Sequence, residues 1–113
     1  MITTAVLNAG TQLTGSAVTQ VTGAASQKTV VTRARFTNSD TATAYTFTVH
    51  RFASGGSAGA TNIIINARSI APGGSDMAPE LNGMVLSAGD VIQALASTTA
   101  KINCFVSGFY STS

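Results

Sequence analysis

Apolar and polar residues alternate in short runs along most of the chain, and turn-forming residues separate the runs. The runs are rich in Thr, Val, Ile, Phe and Tyr, which fit the pleated, half-buried surface of a β-sheet. Successive side chains of a strand point to opposite faces, so alternation marks one buried and one exposed face. The pattern predicts strands at residues 3–7, 12–21, 28–37, 44–52, 62–66, 91–96 and 102–110.

Turn chemistry between these runs predicts how they are joined. Residues 38–41, 71–75 and 87–90 combine Asn, Asp, Ser, Gly and Pro, and residues 53–60 form a Gly-rich loop. Asn82-Gly83 lies between apolar residues and predicts a hairpin. About seven or eight strands at this spacing indicate an all-β fold, an antiparallel β-sandwich that is jelly-roll or immunoglobulin-like. We expect one domain over residues 1–113, with residues 1–20 as an extended N-terminal arm or an edge strand.

Several strands are apolar on both faces, which a two-sheet sandwich does not need. Residues 62–66 read as a buried strand for this reason. In the strand at 28–37, alternation predicts two faces, one with Val30, Thr32, Ala34 and Phe36 and the other with Val31, Arg33, Arg35 and Thr37. In the last strand, Ile102, Cys104 and Val106 lie opposite Phe105 and Phe109. The second apolar set must be covered, and either long loops or a subunit interface would cover it.

Composition supports a protein that packs among neighbours. Apolar residues make up 44% of the 113 residues but charged residues only 9%, while 17 Thr and 12 Ser carry much of the polarity. The net charge of +2 comes from six basic and four acidic residues. Nucleic-acid binding needs clustered Lys and Arg, so we expect none. No apolar stretch approaches a membrane span, so we expect no membrane partner either.

Enzymatic chemistry has little support. Gly55-Gly56-Ser57-Ala58-Gly59 matches the nucleophile elbow of hydrolases, but a strand and not a helix follows it, and the single histidine, His50, precedes it. The four carboxylates belong to turn sequences or adjoin them, and Cys104 reads as a small buried hydrophobe. We therefore predict no enzyme, no catalytic residues, no metal site and no cofactor.

The order of motifs resembles a family of phage proteins. The segments are Arg35-Phe36-Thr37-Asn38-Ser39, residues 41–49 (TATAYTFTV), residues 70–75 (IAPGGS) and residues 84–94 (MVLSAGDVIQA). They resemble small β-sandwich virion proteins of tailed bacteriophages, both capsid decoration (cement) proteins and neck or tail accessory proteins. The resemblance implies a homo-oligomeric virion component, made in the host cytoplasm, without catalytic residues.

The leading hypothesis is therefore a capsid decoration protein that stabilises the shell. Its partners would be copies of itself and other virion proteins such as the major capsid protein. A neck or tail accessory protein is the alternative, and a carbohydrate-binding module is the rival from another class. The basic residues on strands fit a solvated sheet face, and they also fit docking to acidic neighbours, because arginine binds carboxylates in bidentate fashion. The candidate interface residues are Arg33, Arg35, Arg51, Arg68, Phe109 and Tyr110.

Overall fold

The computed structural model describes residues 2–111, and nine strands make up most of this part of the chain. They are β1 (Ile2–Gln12), β2 (Val18–Thr22), β3 (Lys28–Asn38), β4 (Tyr45–Phe52), β5 (Ile63–Ile70), β6 (Ser75–Asp76), β7 (Met84–Leu86), β8 (Val91–Ala96) and β9 (Ile102–Ser111). Single 3-10 turns at Ala60–Asn62 and Pro79–Leu81 are the helical segments of the described residues. Neither has the length or the apolar composition to cross a lipid bilayer.

The strands form two antiparallel sheets with nested pairing. The five-stranded sheet has the order β1-β9-β3-β6, with β7 also paired to β3, and the four-stranded sheet has the order β2-β8-β4-β5. Thus β1 pairs with β9, β2 with β8, β3 with β6 and β7, and β4 with β5. A long hairpin wound around a barrel gives this nesting, and it defines the jelly roll. The predicted antiparallel β-sandwich is confirmed, and its strand order is that of a jelly roll.

The core lies between the two sheets and is built by alternation. In β8, buried Ile92, Ala94 and Ala96 alternate with half-buried residues. Phe36 of the five-stranded sheet stacks on Phe47 of the four-stranded sheet, with ring centroids 4.3 Å apart. Both rings are essentially inaccessible to solvent, so this contact joins the sheets at the centre of the sandwich.

The predicted faces of β3 are partly wrong because the strand contains a β-bulge. Val31 pairs with Gly108 and Arg33 with Ser107, so Thr32 is an extra residue. An extra residue shifts the alternation by one position. Val31 therefore lies inside with Ala34 and Phe36, whereas Thr32 is exposed and Val30 is only half-buried. Arg33 and Arg35 lie beyond the bulge and share the exposed face, as predicted.

Two further predictions need correction. Residues 62–66 do not form a buried strand: Asn62 ends a 3-10 turn, and Ile63 begins β5, an edge strand in which Ile65 is buried but Ile63 is 37% exposed. Asn82-Gly83 forms a turn but no hairpin. A 3-10 turn precedes it, and β7 after it pairs with the distant strand β3. The predicted strand at 12–21 is interrupted by a corner, where Leu13 is buried between β1 and β2.

Candidate interaction surface

The outer face of the five-stranded sheet carries a shallow depression of about 410 Å³. Three neighbouring strands build it, because Ser107 of β9 pairs with Val6 of β1 on one side and with Arg33 of β3 on the other. Phe105, two residues earlier on β9, pairs with Arg35. The lining residues are Val6, Asn8, Ala9, Arg33, Arg35, Thr37, Phe105, Val106 and Ser107. We call this the arginine face.

Phe105 forms the apolar floor of the arginine face because β1 has a glycine beside it. Gly10 has a φ of +133°, and a Cβ there would lie 2.9 Å from Cε1 of Phe105. The Asn8 side chain fixes this irregular backbone, accepting hydrogen bonds from the Gly10 N–H (3.0 Å) and the Thr11 hydroxyl (2.9 Å). The ring can therefore lie close to the β1 backbone while 44% of Phe105 stays exposed.

Bulges on both sides of Ser107 set the direction of the neighbouring side chains. In β1, Val6 pairs with Ser107 and Asn8 with Val106, so Leu7 is the extra residue. In β3, the extra residue Thr32 donates a hydrogen bond to the Ser107 carbonyl (3.1 Å). A bulge re-aims side chains and increases the local twist. Here Leu7 packs against the core, while Val6 stays on the outer face with an exposed fraction of 71%.

The charge of the arginine face is not balanced within the described residues. Asp90 pairs with Arg51, while Asp76 and Glu80 pair with Arg68. The fourth carboxylate, Asp40, accepts a hydrogen bond from the Ala42 N–H (3.4 Å) in the turn after β3. None of the four side-chain carboxylates of residues 2–111 forms an ion pair with the arginine face. A carboxylate that pairs with it must therefore come from outside this part of the chain.

Two other predicted interface residues, Arg51 and Arg68, hold the sandwich together. Arg51 of β4 donates to Asp90 (3.1 Å) and to the carbonyl of Val85 (2.9 Å) in β7 of the opposite sheet. Arg68 of β5 contacts Asp76 (3.4 Å) and also pairs with Glu80. Each arginine therefore links the four-stranded sheet to a short strand of the five-stranded sheet, Arg51 to β7 and Arg68 to β6.

The last two predicted interface residues lie on opposite faces of β9. Phe109 pairs with Val30 of β3 and continues the outer face of the sheet beyond Ser107. Tyr110 pairs with buried Thr29, on the side of β9 that carries the core. Both are half-buried. The structure thus brings Arg33, Arg35 and Phe109 to one face and places Arg51, Arg68 and Tyr110 elsewhere.

Alanine substitutions should distinguish the arginines that join the sheets from those of the arginine face by their effect on the free energy of unfolding. Arg51→Ala and Arg68→Ala each remove partly exposed ion pairs between elements, and we expect each to lower the free energy of unfolding by about 1 kcal/mol. Arg33→Ala and Arg35→Ala remove exposed side chains, and we expect changes below about 0.5 kcal/mol. Urea unfolding followed by circular dichroism would measure all four. Equal losses across the set would contradict the assignment.

His50, the only histidine, lies buried in the second half of β4 and has a hydrogen-bond partner within the fold. Its Nδ1 lies 2.8 Å from Oδ1 of Asn62. Asn62 also accepts from the Gly59 N–H (3.0 Å) and donates to the Ser57 carbonyl (2.8 Å). This network ties the Gly-rich loop to the sheet. A 3-10 turn and then β5 follow Ser57, which is not the strand-to-helix turn of a nucleophile elbow.

Cys104 is fully buried in β9, which confirms the prediction of a small buried hydrophobe. Burial raises the pKa of its thiol to about 12, because the thiolate would lose its hydration. We expect the folded protein to resist alkylation by iodoacetamide at mildly alkaline pH and to react fully in urea. Mass spectrometry would measure the modification. Rapid alkylation without denaturant would contradict the burial of this thiol.

Sequence reasoning did not include Val6, Gly10 or Phe105 among the interface candidates. Alternation did place Phe105 opposite the core residues of β9, so that signal was available. The roles of Val6 and Gly10 depend on bulges and on pairing with β9, which no local pattern reveals.

Within residues 2–111, no three His, Cys, Asp or Glu side chains group as metal ligands. Comparison of the chain with protein-family models, curated proteins and solved structures gives no match.

Proposed function

We propose that the chain is a structural component of a bacteriophage virion, a decoration protein that binds acidic surfaces of neighbouring shell subunits through its arginine face. The observation that carries the docking role is the pair Arg33 and Arg35, exposed beside Phe105 and without a carboxylate partner among the described residues. The virion context rests on the resemblance of the motifs to phage β-sandwich proteins.

The chemistry of the arginine face suits such a partner. Guanidinium groups bind carboxylates in bidentate fashion, and arginine and aromatic residues are enriched at protein interfaces. The strand period places Arg33 and Arg35 about 7 Å apart along β3. The apolar floor beside them offers area whose burial contributes about 25 cal/mol per Å² before the costs of association.

Charge also favours a partner that differs from this chain. Two copies meeting through the arginine face would bring four arginines together, and the side-chain carboxylates of the described residues are already engaged. Like charges across an interface are unfavourable. A decoration protein that binds the assembled shell but not separate subunits would stabilise the shell by mass action.

The direct test mixes purified protein with expanded empty shells and measures where it binds. Stoichiometric uptake over the shell surface, with a raised temperature of shell disassembly, is the expected result. Cryo-electron microscopy would locate the bound copies. Uptake restricted to the portal vertex or the tail would replace decoration with the neck or tail role, which uses the same docking chemistry.

The carbohydrate-binding alternative gains one observation from the structure. Sugar-binding surfaces use exposed aromatic rings, and Phe105 is 44% exposed in the depression. A glycan array would test this alternative directly. Binding that is lost in Phe105→Ala, together with no uptake by shells, would favour it over the virion proposal.

A further inference from the structure

We propose that the free edge of β1, over Ile2–Val6, pairs in antiparallel fashion with the same edge of a second copy. The five-stranded sheet would then run continuously through a twofold dimer. This contact uses the backbone edge of β1, whereas docking uses Arg33 and Arg35 of β3, and the two surfaces share Val6. The variants that test them, at Thr4 and at the arginines, do not overlap, so the two proposals can fail independently.

The distribution of charge points to this edge. Residues 1–27 contain no Asp, Glu, Lys, Arg or His, and all ten charged residues lie between Lys28 and Lys101. β1 is an edge strand of the five-stranded sheet and β2 is an edge strand of the four-stranded sheet. Both lie in this uncharged segment, and they contact each other along one side of the sandwich. The opposite edges include β5 and β6, which carry Arg68 and Asp76.

The other edges also have features that block pairing, which Ile2–Val6 lacks. Natural edge strands are protected by short length, bulges, charges or proline. β6 and β7 have two and three residues. β5 has irregular register along its paired length, and β2 has a register shift between Thr19 and Val21. The second half of β1 is bulged as well, but from Ile2 to Val6 the pairing with β9 is regular.

The exposed apolar side chains of this segment suit a copy of itself. Ile2 is 67% exposed and Val6 is 71% exposed. They pair with Ser111 and Ser107, alternate positions of β9, so they share the outer face. In a twofold antiparallel pair centred on Thr4, Ile2 of one copy lies opposite Val6 of the other, and this contact occurs twice. Such apolar cross-strand pairs stabilise a sheet.

The absence of charge on the β1 edge favours pairing with a second copy over binding of the acidic partner. A twofold axis places the central residue opposite itself, so a charge at that position would meet its own sign. Thr4 meets Thr4 without this penalty. An acidic surface would gain no ion pair from the edge, whereas it would gain two from Arg33 and Arg35. The edge therefore fits the copy, and the arginine face fits the partner.

Sedimentation equilibrium of the full chain, from micromolar to millimolar concentration, tests the proposal. We expect a reversible monomer–dimer equilibrium. Thr4→Lys should raise the dissociation constant about fivefold or more, because it places two ammonium groups opposite each other. An equimolar mixture of Thr4→Lys and Thr4→Glu should dimerise more tightly than either variant alone. Asn66→Lys, on the exposed edge strand β5, is the matched control and should leave the equilibrium unchanged.

Cross-linking gives a second measurement that does not depend on added charge. Thr4→Cys should form an intermolecular disulfide under mild oxidation, since directly opposed residues of paired strands lie about 4.5–5.5 Å apart. Asn66→Cys should form no intermolecular disulfide under the same conditions. A wild-type protein that remains monomeric throughout, or an Asn66 variant that changes association as much as the Thr4 variant, would overturn the proposal.

Discussion

Gly108→Ala is expected to lower the free energy of unfolding by about 3 kcal/mol. A Cβ at this position would lie 2.0 Å from the carbonyl oxygen of Val30 and 3.0 Å from Cδ1 of Leu7. Gly108 belongs to β9, which lies between β1 and β3 in the five-stranded sheet. The clash can be relieved only by moving β9 from β3, which would disturb the ladder that positions Ser107 and Arg33.

Urea unfolding of the variant measures this loss, and Gly15→Ala provides the control. Nothing lies within 4 Å of a Cβ at Gly15, so its substitution should change stability by less than about 0.5 kcal/mol. If the Gly108 variant unfolds at the same urea concentration as the wild type, β9 and β3 can move apart with little loss of free energy. Valine at Gly108 should be worse than alanine, because its branched side chain adds atoms at the same contact.

The fold class could be predicted from the sequence because it depends on local signals. The alternation of β8 and β9 and the turns at 71–75 and 87–90 all agree with the structure. The Ser87–Asp90 turn even has the expected chemistry, since the Asp90 carboxylate accepts from the Ser87 N–H at 3.0 Å. These features involve neighbours in sequence, so a single chain reveals them.

What the sequence did not reveal involves pairs of distant segments. The bulge at Thr32 appears only when β3 is placed beside β9, and it reverses the faces of Val30 and Val31. Arg51 and Arg68 reach distant segments across the sandwich, Val85 of β7 and Asp76 of β6. From alternation alone, four arginines looked equivalent. Tertiary pairing divides them into two that hold the sheets together and two that stay exposed without an ion pair among the described residues.

Charge reversal on the arginine face should abolish shell binding without unfolding the protein. Losing one partner of a buried, hydrogen-bonded charge pair costs about 2–5 kcal/mol. For Arg35→Glu we therefore expect binding to shells to weaken at least about thirtyfold, and the Arg33→Glu/Arg35→Glu double variant should not bind measurably. Circular dichroism and urea unfolding should give curves close to the wild type, because neither arginine has an ion-pair partner within the described residues.

Lys101→Glu is the matched control, because it makes the same change of charge at an exposed residue outside the depression. Arg35→Lys separates the kinetic contributions. Lysine retains the positive charge that steers association but lacks the planar fork, so dissociation should accelerate while the association rate stays near that of the wild type. If Lys101→Glu weakens binding as much as Arg35→Glu, net charge and not the arginine face directs docking. If neither variant changes binding, the contact lies on another surface.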